Sequence, residues 1–222
     1  MLRYATLEER QKFYKEEFNL HKVRSFLESI EVEIKNKFAI RLGYFTKIYS
    51  QKFKDIAESP MYIVVKVDSL EELRNILLYY LPESVYYFRS FHLLDFDPHH
   101  IKCSCSIVHK KPDFCVEQFE KLKLQVHSFV KELEKLSAEY RIVFSGRGFH
   151  VYVSNLSRRK LETFAKNYPV DLHVIRQKLA RLPYSLNALT TRIVTPIDRD
   201  SLLSFDFNDE SVVPRFLRRY RS

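Results

Sequence analysis

The spacing of apolar residues divides this chain into helices and strands. Apolar residues recur every three or four positions over residues 7–34 and 113–136, with charged residues between them, which predicts two amphipathic helices. Shorter helices are predicted over 69–81 and 157–167, where Ser69 and Ser157 can cap the first turn. The spacing also predicts a helix over 171–180 and a short one near Ser201.

Runs of β-branched and aromatic residues predict the strands. These runs lie at 61–67, 140–144, 149–153 and 192–195, with one or two more strands in 85–96 and a bent strand or hairpin over 38–49. We find no internal repeat, low-complexity tract or Gly/Ser linker. The pattern therefore predicts an α/β (α+β) fold, a mixed and largely antiparallel sheet flanked by helices, in a single domain over 1–222.

Composition and charge narrow the class of protein. The chain has 222 residues, 45% of them hydrophobic, which suffices for one sizeable core. Its net charge is +9, which favours nucleic acid, nucleotides or an acidic partner but also serves solubility alone. The first fifteen residues lack the apolar segment of a signal peptide, and no apolar run has the length of a membrane span. We therefore expect a protein of the cytosol, nucleoid or nucleus that is neither secreted nor membrane-bound.

Two of the chain's three glycines lie in one hexapeptide, Ser145-Gly146-Arg147-Gly148-Phe149-His150, between two predicted strands. Glycine permits positive φ and close approach of the backbone to a ligand. Backbone N–H groups, a hydroxyl, a guanidinium and an imidazole converge there, as in a cradle for a polyphosphate. The alternative is a tight hairpin that leaves Arg147 exposed.

Two carboxylates, Asp95 and Asp97, end the apolar run Leu93-Leu94-Asp95-Phe96-Asp97. Side chains two residues apart on a strand share a face, so both carboxylates project together. A hard divalent cation such as Mg²⁺ or Mn²⁺ would relieve their repulsion. The alternative is a strand that ends in an Asx turn at Asp97-Pro98 with both acids solvated.

Taken in order, these segments resemble the catalytic small subunit of the archaeal and eukaryotic DNA primases. That family carries an hhhDhD strand, a later SGxxGhH loop, and a third acid ahead of a basic residue and an "LP-x-S-L/V-H" turn. The counterparts here are Leu93 to Asp97, Ser145 to His150, and Asp171 followed by Arg181 to Asn187. Similar segments at 8–14, 85–87 and 192–198 extend the resemblance over nearly the whole chain.

The resemblance implies a DNA-dependent primase that makes short RNA or DNA primers from NTPs or dNTPs on a DNA template. Asp95, Asp97 and Asp171 would be catalytic and would bind two Mg²⁺ or Mn²⁺ ions. The nucleotide would be held by Ser145, Gly146, Arg147, His150, Arg181 and Asn187. Arg147 and His150 would stabilise charge that develops during transfer. The family also implies a primase large subunit as partner.

The chain departs from the family pattern at the triphosphate contacts. The loop is one residue shorter between Ser145 and His150, Asn187 replaces the usual histidine, and the usual lysine falls near Leu189. Lys178, Arg176 or Arg192 could compensate. The helical insert before the third acid is nearly absent, since about twenty residues separate His150 from Asp171. The acidic triad is intact.

Three cysteines and a histidine, Cys103, Cys105, His109 and Cys115, lie just after the acidic strand. Thiolate and imidazole ligands suit tetrahedral Zn²⁺, and the family often carries a zinc-binding insert at this point, here within 99–116. His99 and His100 are possible substitute ligands. The alternative is a loop of reduced cysteines, since an odd number argues against a disulfide framework.

Some features leave the function open. Arg41 and Arg89 could contact phosphates or be surface members of a sheet, and the basic tail over 214–222 could be mobile, dock a partner or lead into another domain. A rival enzyme is a repair polymerase of the type attached to end-joining ligases, whose acidic strand reads like Asp95-Phe96-Asp97-Pro98. A rival of another class is a non-catalytic nucleic-acid-binding subunit on a degenerate primase fold.

Overall fold

The fold is described here from a computed structural model of the chain. The structure describes residues 2–50, 55–104, 115–172 and 174–218. For residues 44–50 and 55–60 it describes only the backbone. In this part of the chain no helix is both long and apolar enough to cross a bilayer.

The N-terminal helix predicted over 7–34 is broken into separate segments. Helix α1 (Leu7–Lys12) starts with a capping box between Thr6 and Glu9 and continues as a π-helical turn, Phe13–Glu17. Phe18 is extended, and α2 (Leu20–Ser29) begins at a second N-cap, Asn19, whose side chain accepts from Lys22 N–H. The periodicity of apolar residues continues through this break because both segments face the same core.

A four-stranded antiparallel sheet forms the first layer of strands, in the order β2-β1-β3-β8. Its strands are β1 (Lys37–Ser50), β2 (Asp55–Lys66), β3 (Ser84–Phe88) and β8 (Leu179–Arg181). Helix α3 (Leu70–Tyr80), capped by Ser69, connects β2 to β3. Of the bent strand or hairpin expected over 38–49, the structure shows the bent strand, since β1 covers the whole range with a register shift between Arg41 and Phe45, and the strand at 61–67 is confirmed as part of β2.

A five-stranded antiparallel sheet forms the second layer, in the order β11-β5-β6-β4-β7. Its strands are β4 (His92–Phe96), β5 (Tyr140–Phe144), β6 (Phe149–Val153), β7 (Val170–Asp171) and β11 (Thr195–Ile197). The one or two strands predicted within 85–96 are two, β3 and β4. The helix predicted over 171–180 is wrong: Val170 and Asp171 pair with the edge of β4, and a single 3₁₀ turn, Val174–Arg176, leads into β8.

The remaining elements flank the sheets. Helix α4 (Val116–Lys135) follows the segment that contains the cysteines. Helix α5 (Arg158–Ala165) follows β6, and the short helix α6 (Arg215–Arg218) follows Pro214. Strands β9 (Leu186–Asn187) and β10 (Arg192–Ile193) form a small antiparallel pair, and 3₁₀ turns lie at Pro98–His100 and Arg199–Ser201. The first part of the basic tail is docked, since Phe216 is buried and Arg218 donates to the Val213 carbonyl.

The five-stranded sheet separates two hydrophobic cores. On one face, Leu94, Phe149 and Val151 pack with Phe119 and Phe129 of α4. On the other face, Leu93 and Tyr152 join the core that contains α2, α3 and the inner face of the four-stranded sheet. The mixed α/β fold with antiparallel sheets and flanking helices is therefore confirmed. Polar residues on this second face lie between the sheets, where a site can be partly shielded from water.

Candidate active site

The register of three strands brings an acid, a histidine and a second acid into one row. Asp95 of β4 lies directly opposite His150 of β6 on one side and opposite Asp171 of β7 on the other. Residues directly opposite in an antiparallel sheet share a face, with Cβ atoms about 4.5–5.5 Å apart. The structure thus brings Asp95 and Asp171 together, although 75 residues separate them in sequence.

Asp97 lies just beyond the end of β4 and is held by Arg147 and His99. Its carboxylate accepts from His99 N–H at 3.1 Å, lies 2.6 Å from His99 Nδ1 and forms an ion pair with Arg147. Burial alone would raise the pKa of Asp97, but Arg147 and His99 outweigh it and lower the pKa below its ordinary value. The Asx turn expected as the alternative is present, but Asp97 is only 16% exposed and is paired rather than solvated.

The glycine loop is a tight hairpin turn pressed against the acidic strand. Ser145 N–H donates to the Gly148 carbonyl at 2.9 Å, and Gly146 has a φ of 103°. A Cβ at Gly148 would overlap the Phe96 carbonyl oxygen and lie 3.2 Å from Asp97 Cα. Only glycine allows this approach, which carries the Arg147 side chain to Asp97. The hairpin alternative is therefore right about the turn but wrong about an exposed Arg147, whose side chain is 15% exposed.

Asn187 supports the loop from behind. Its Nδ2 donates to the Ser145 carbonyl at 2.9 Å, and its Oδ1 accepts from Leu189 N–H at 3.2 Å. The residue is buried, and a Cβ on Gly146 would meet its amide. Both polar groups of the amide thus have partners within the protein. The contact between Asn187 and nucleotide stays a prediction.

His150 is a buried, neutral imidazole beside Asp95. Burial, together with the charges of Arg181 and Arg89, lowers its pKa to about 3. Its Nε2 lies 3.6 Å from Asp95 Oδ1, and its Nδ1 has no hydrogen-bond partner in the described structure. A buried donor or acceptor without a partner is costly, which is typical of a ligand-binding position.

Arg181 links this row to the four-stranded sheet. It lies on β8, opposite Tyr86 of β3, and its guanidinium is 5.3 Å from the Tyr86 ring centroid. Its Nη1 donates to Ser84 Oγ at 2.6 Å. The charge of Arg181 also lowers the pKa of His150. The contact between Arg181 and a triphosphate stays a prediction.

The two other arginines singled out in the sequence have different settings. Arg41 pairs with the buried Glu83, with Nε 3.0 Å from Oε2. Arg89 differs from both expectations because it is buried and donates to the Val174 carbonyl at 2.9 Å and to the Phe91 carbonyl. It thereby links the end of β3 to the segment that follows β7.

The carboxylates form no preassembled metal site. Among the described residues, no three His, Cys, Asp or Glu side chains lie close enough together to hold an ion as they stand. The donor set still fits a hard cation, because Asp95, Asp97 and Asp171 offer oxygen ligands only. The binding of Mg²⁺ or Mn²⁺ stays a prediction.

The proposed zinc ligands lie partly outside the described residues, since Cys105 and His109 are not among them. Cys103 is half-buried and Cys115 is buried. Glu117 accepts from Ser104 N–H and Oγ, at 3.0 and 2.6 Å, so the two described ends of the segment are held together. Zinc binding stays a prediction.

A cavity of about 360 Å³ lies at the opposite end of β4, lined in part by Ser90, His92 and Tyr152. It contains none of the predicted site residues. Asp95, Asp97 and Asp171 instead lie at the other end of β4 and are half-buried.

The chain was also compared with known proteins. No family model matches it. A protein of Archaeoglobus fulgidus, described as an uncharacterized DNA primase small subunit-like protein, is 31% identical over 260 residues, covering 97% of this chain and 92% of the relative. The polymerase domain from Mycobacterium tuberculosis Ligase D, solved in complex with DNA, has a TM-score of 0.54 at 13% identity, covering 98% of this chain and 88% of that one. At that identity the likeness concerns the fold alone.

Proposed function

Since the chain belongs to the family of DNA primase small subunit-like proteins, we propose that it is a primase catalytic subunit. It would make short RNA or DNA primers by transferring nucleotides from NTPs or dNTPs onto a strand paired with a DNA template. The proposed partners are the template and a primase large subunit. The proposed metal is Mg²⁺ or Mn²⁺.

The observation that carries this proposal is the joint placement of the acids and the glycine loop. Asp95 and Asp171 are opposite in register, and Gly148 lies against the backbone of Phe96 and Asp97. Negative ligands for a cation and positive ligands for a phosphate thus lie side by side. This juxtaposition suits a substrate that carries both, a metal-bound nucleoside triphosphate.

In the proposed reaction, Asp95, Asp97 and Asp171 hold the divalent cations. Bound there, the metal supplies activation of the 3′-hydroxyl and neutralisation of the pyrophosphate that leaves. Arg147 is paired with Asp97 in this structure. Its guanidinium can instead hold a phosphate through two parallel hydrogen bonds. Buried His150 offers its unpaired Nδ1 to an acceptor or donor of the substrate.

The test is nucleotide incorporation with single-stranded DNA, NTPs or dNTPs, and Mn²⁺. We expect labelled dinucleotides and short primers from the native chain, alone or with its large subunit, and none from Asp95→Asn. A labelled product that persists in Asp95→Asn would overturn the proposal and would favour a non-catalytic, degenerate subunit.

A second candidate is a repair polymerase of the type attached to end-joining ligases. It is favoured by the Asp95-Phe96-Asp97-Pro98 segment and by the fold shared with the Ligase D polymerase domain. The two candidates differ in their need for a primer. A chain that extends a primed end but makes no dinucleotide from free nucleotides would be a repair polymerase.

A further inference from the structure

The outer face of the four-stranded sheet has a composition unlike that of a solvated surface. In β2, Tyr62, Val64 and Lys66 are exposed, whereas Ile63 and Val65 pack on the core. This alternation of period two defines an outward face that continues across the register to β1, β3 and β8. We call it the open face; its described positions are Lys37, Ala39, Arg41, Tyr62, Val64, Lys66, Ser84, Tyr86, Phe88, Leu179 and Arg181. Four of them, Lys37, Tyr62, Val64 and Lys66, are exposed, Ala39 and Ser84 are buried, and the other five are half-buried.

The open face carries aromatic rings and cations together. Three of its eleven described positions are aromatic, four are lysine or arginine, and none is acidic. Glu83, which pairs with Arg41, is buried beside it. Rings supply flat surfaces for bases and cations supply contacts for phosphates, and the combination on a sheet is typical of single-stranded nucleic-acid binding.

Neighbouring contacts hold the rings in place. The Tyr62 and Tyr86 rings meet edge to face, with centroids 5.8 Å apart, and the Arg181 guanidinium lies 5.3 Å from the Tyr86 centroid. Tyr62 is nevertheless 43% exposed. An exposed ring with a fixed orientation loses little entropy when a base stacks on it.

The open face is continuous with the candidate active site through Arg181. That residue stands beside Tyr86 on the face, and its carbonyl accepts from the Tyr152 hydroxyl at 3.3 Å, on the strand that also carries His150. A strand that lies across the face therefore leads toward the acids.

We propose that the open face binds the unpaired DNA template strand, with bases on Tyr62 and Tyr86 and phosphates on Lys66, Arg41 and Arg181. This inference rests on the proposed function, since it assigns a place to the template of that reaction. A single strand fits better than a duplex because the rings offer stacking surfaces that paired bases cannot reach.

The absence of tryptophan from the chain provides a direct test. Tyr62→Trp introduces a single indole on the open face, and Tyr79→Trp places one at a site 80% exposed on α3 as a matched control. Both are titrated with an unlabelled oligothymidylate of about 12 nucleotides, within the range of known site sizes, without nucleotide or metal. We expect saturable quenching of the Tyr62→Trp emission and none for Tyr79→Trp. Equal responses of the two indoles would overturn the proposal.

Affinity gives a second, independent readout. In fluorescence anisotropy with a labelled strand, Tyr62→Ala should bind about tenfold more weakly, from the usual loss per stacked base, while Tyr62→Phe and Tyr79→Ala bind as the native chain does. A Tyr62→Ala variant that binds the strand as tightly as the native chain would contradict binding at the open face. Asp95→Asn, which tests the proposed function, should bind the strand normally, so the two proposals fail separately. Tighter binding of duplex than of single strand would also exclude the template assignment.

Discussion

The end of the five-stranded sheet and the open face of the four-stranded sheet use their side chains in opposite ways. At the first, Asp97 is half-buried and His150 is buried, and the loop is fixed by Gly148 against Phe96 and by Asn187 against Ser145. At the second, Tyr62 and Lys66 project outward and are positioned by strand alternation. The charged groups of the site are held in position by ion pairs and hydrogen bonds within the protein. Groups that hold a flexible polymer stay accessible.

This contrast separates the expected effects of substitutions. Changes to Asp95 or Asp171 should lower the rate of nucleotide transfer with little effect on template affinity. Changes on the open face should weaken template affinity with little effect on the rate of nucleotide transfer at saturating template. Changes in the loop and its supports should affect stability as well, because the loop is packed against backbone.

The largest effect is expected from Asp171→Asn. The amide keeps the size of the side chain but removes the negative charge opposite Asp95. Loss of several kcal/mol of charge stabilisation corresponds to at least about a thousandfold lower rate. Single-turnover incorporation at saturating template measures it, with the exposed Asp200→Asn as a control of equal charge change. A native rate in Asp171→Asn would remove Asp171 from the site.

Gly148→Ala should destabilise the protein by about 1–3 kcal/mol, the usual cost of overpacking. The added Cβ would meet the Phe96 carbonyl oxygen, which is backbone and cannot move aside. Urea denaturation measures the free energy of unfolding.

The matched control for that variant is Gly43→Ala. A Cβ there lies 3.2 Å from Glu83 Oε1, at the end of a side chain. We expect a clearly smaller change in the free energy of unfolding. Equal losses in both variants would show that the close packing of the loop on the acidic strand has no special energetic weight.

Asn187→Ala should cost about 1–3 kcal/mol, because it leaves the buried Ser145 carbonyl without its donor. Thr190→Val is the control, since its hydroxyl makes only a marginal 3.5 Å contact with the Asn187 carbonyl. The same urea titrations decide the matter. If Asn187→Ala is as stable as the native chain but weakens nucleotide binding, Asn187 is a ligand contact rather than a support.

The smallest effect is expected from Lys66→Gln. Loss of one phosphate contact should reduce the slope of log affinity against log salt concentration by about 0.7, the value for one charge on a single strand. Anisotropy titrations at several salt concentrations measure it, with the exposed Lys135→Gln on α4 as the control. Identical slopes for the two variants would place the phosphates elsewhere.

The predictability of the two regions from sequence also differs. The acids and the loop could be found because Asp95 and Asp97 follow an apolar run and because glycine is otherwise so rare. Asp171 could be named only through the family resemblance, and its place beside β4 could not be predicted, since a strand of two residues leaves no periodicity and its partner lies far away in the chain. The spacing after it therefore suggested a helix, although hydrogen bonding to the edge of β4 decided the structure.

The support residues and the open face were missed for related reasons. Asn187 was interpreted as a nucleotide contact, and its hydrogen bond to the Ser145 carbonyl depends on tertiary packing. Tyr62, Val64 and Lys66 do alternate with apolar residues, a signal that was visible in the sequence. What the sequence could not supply is the register that adds Tyr86 and Arg181 to the same face.

The most direct test of this division of labour is single-turnover nucleotide incorporation at saturating template, measured together with template affinity. We predict that Asp95→Asn abolishes incorporation and binds template normally, while Tyr62→Ala binds template about tenfold more weakly and incorporates at the native rate once saturated. Incorporation by Asp95→Asn at the native rate would contradict the account.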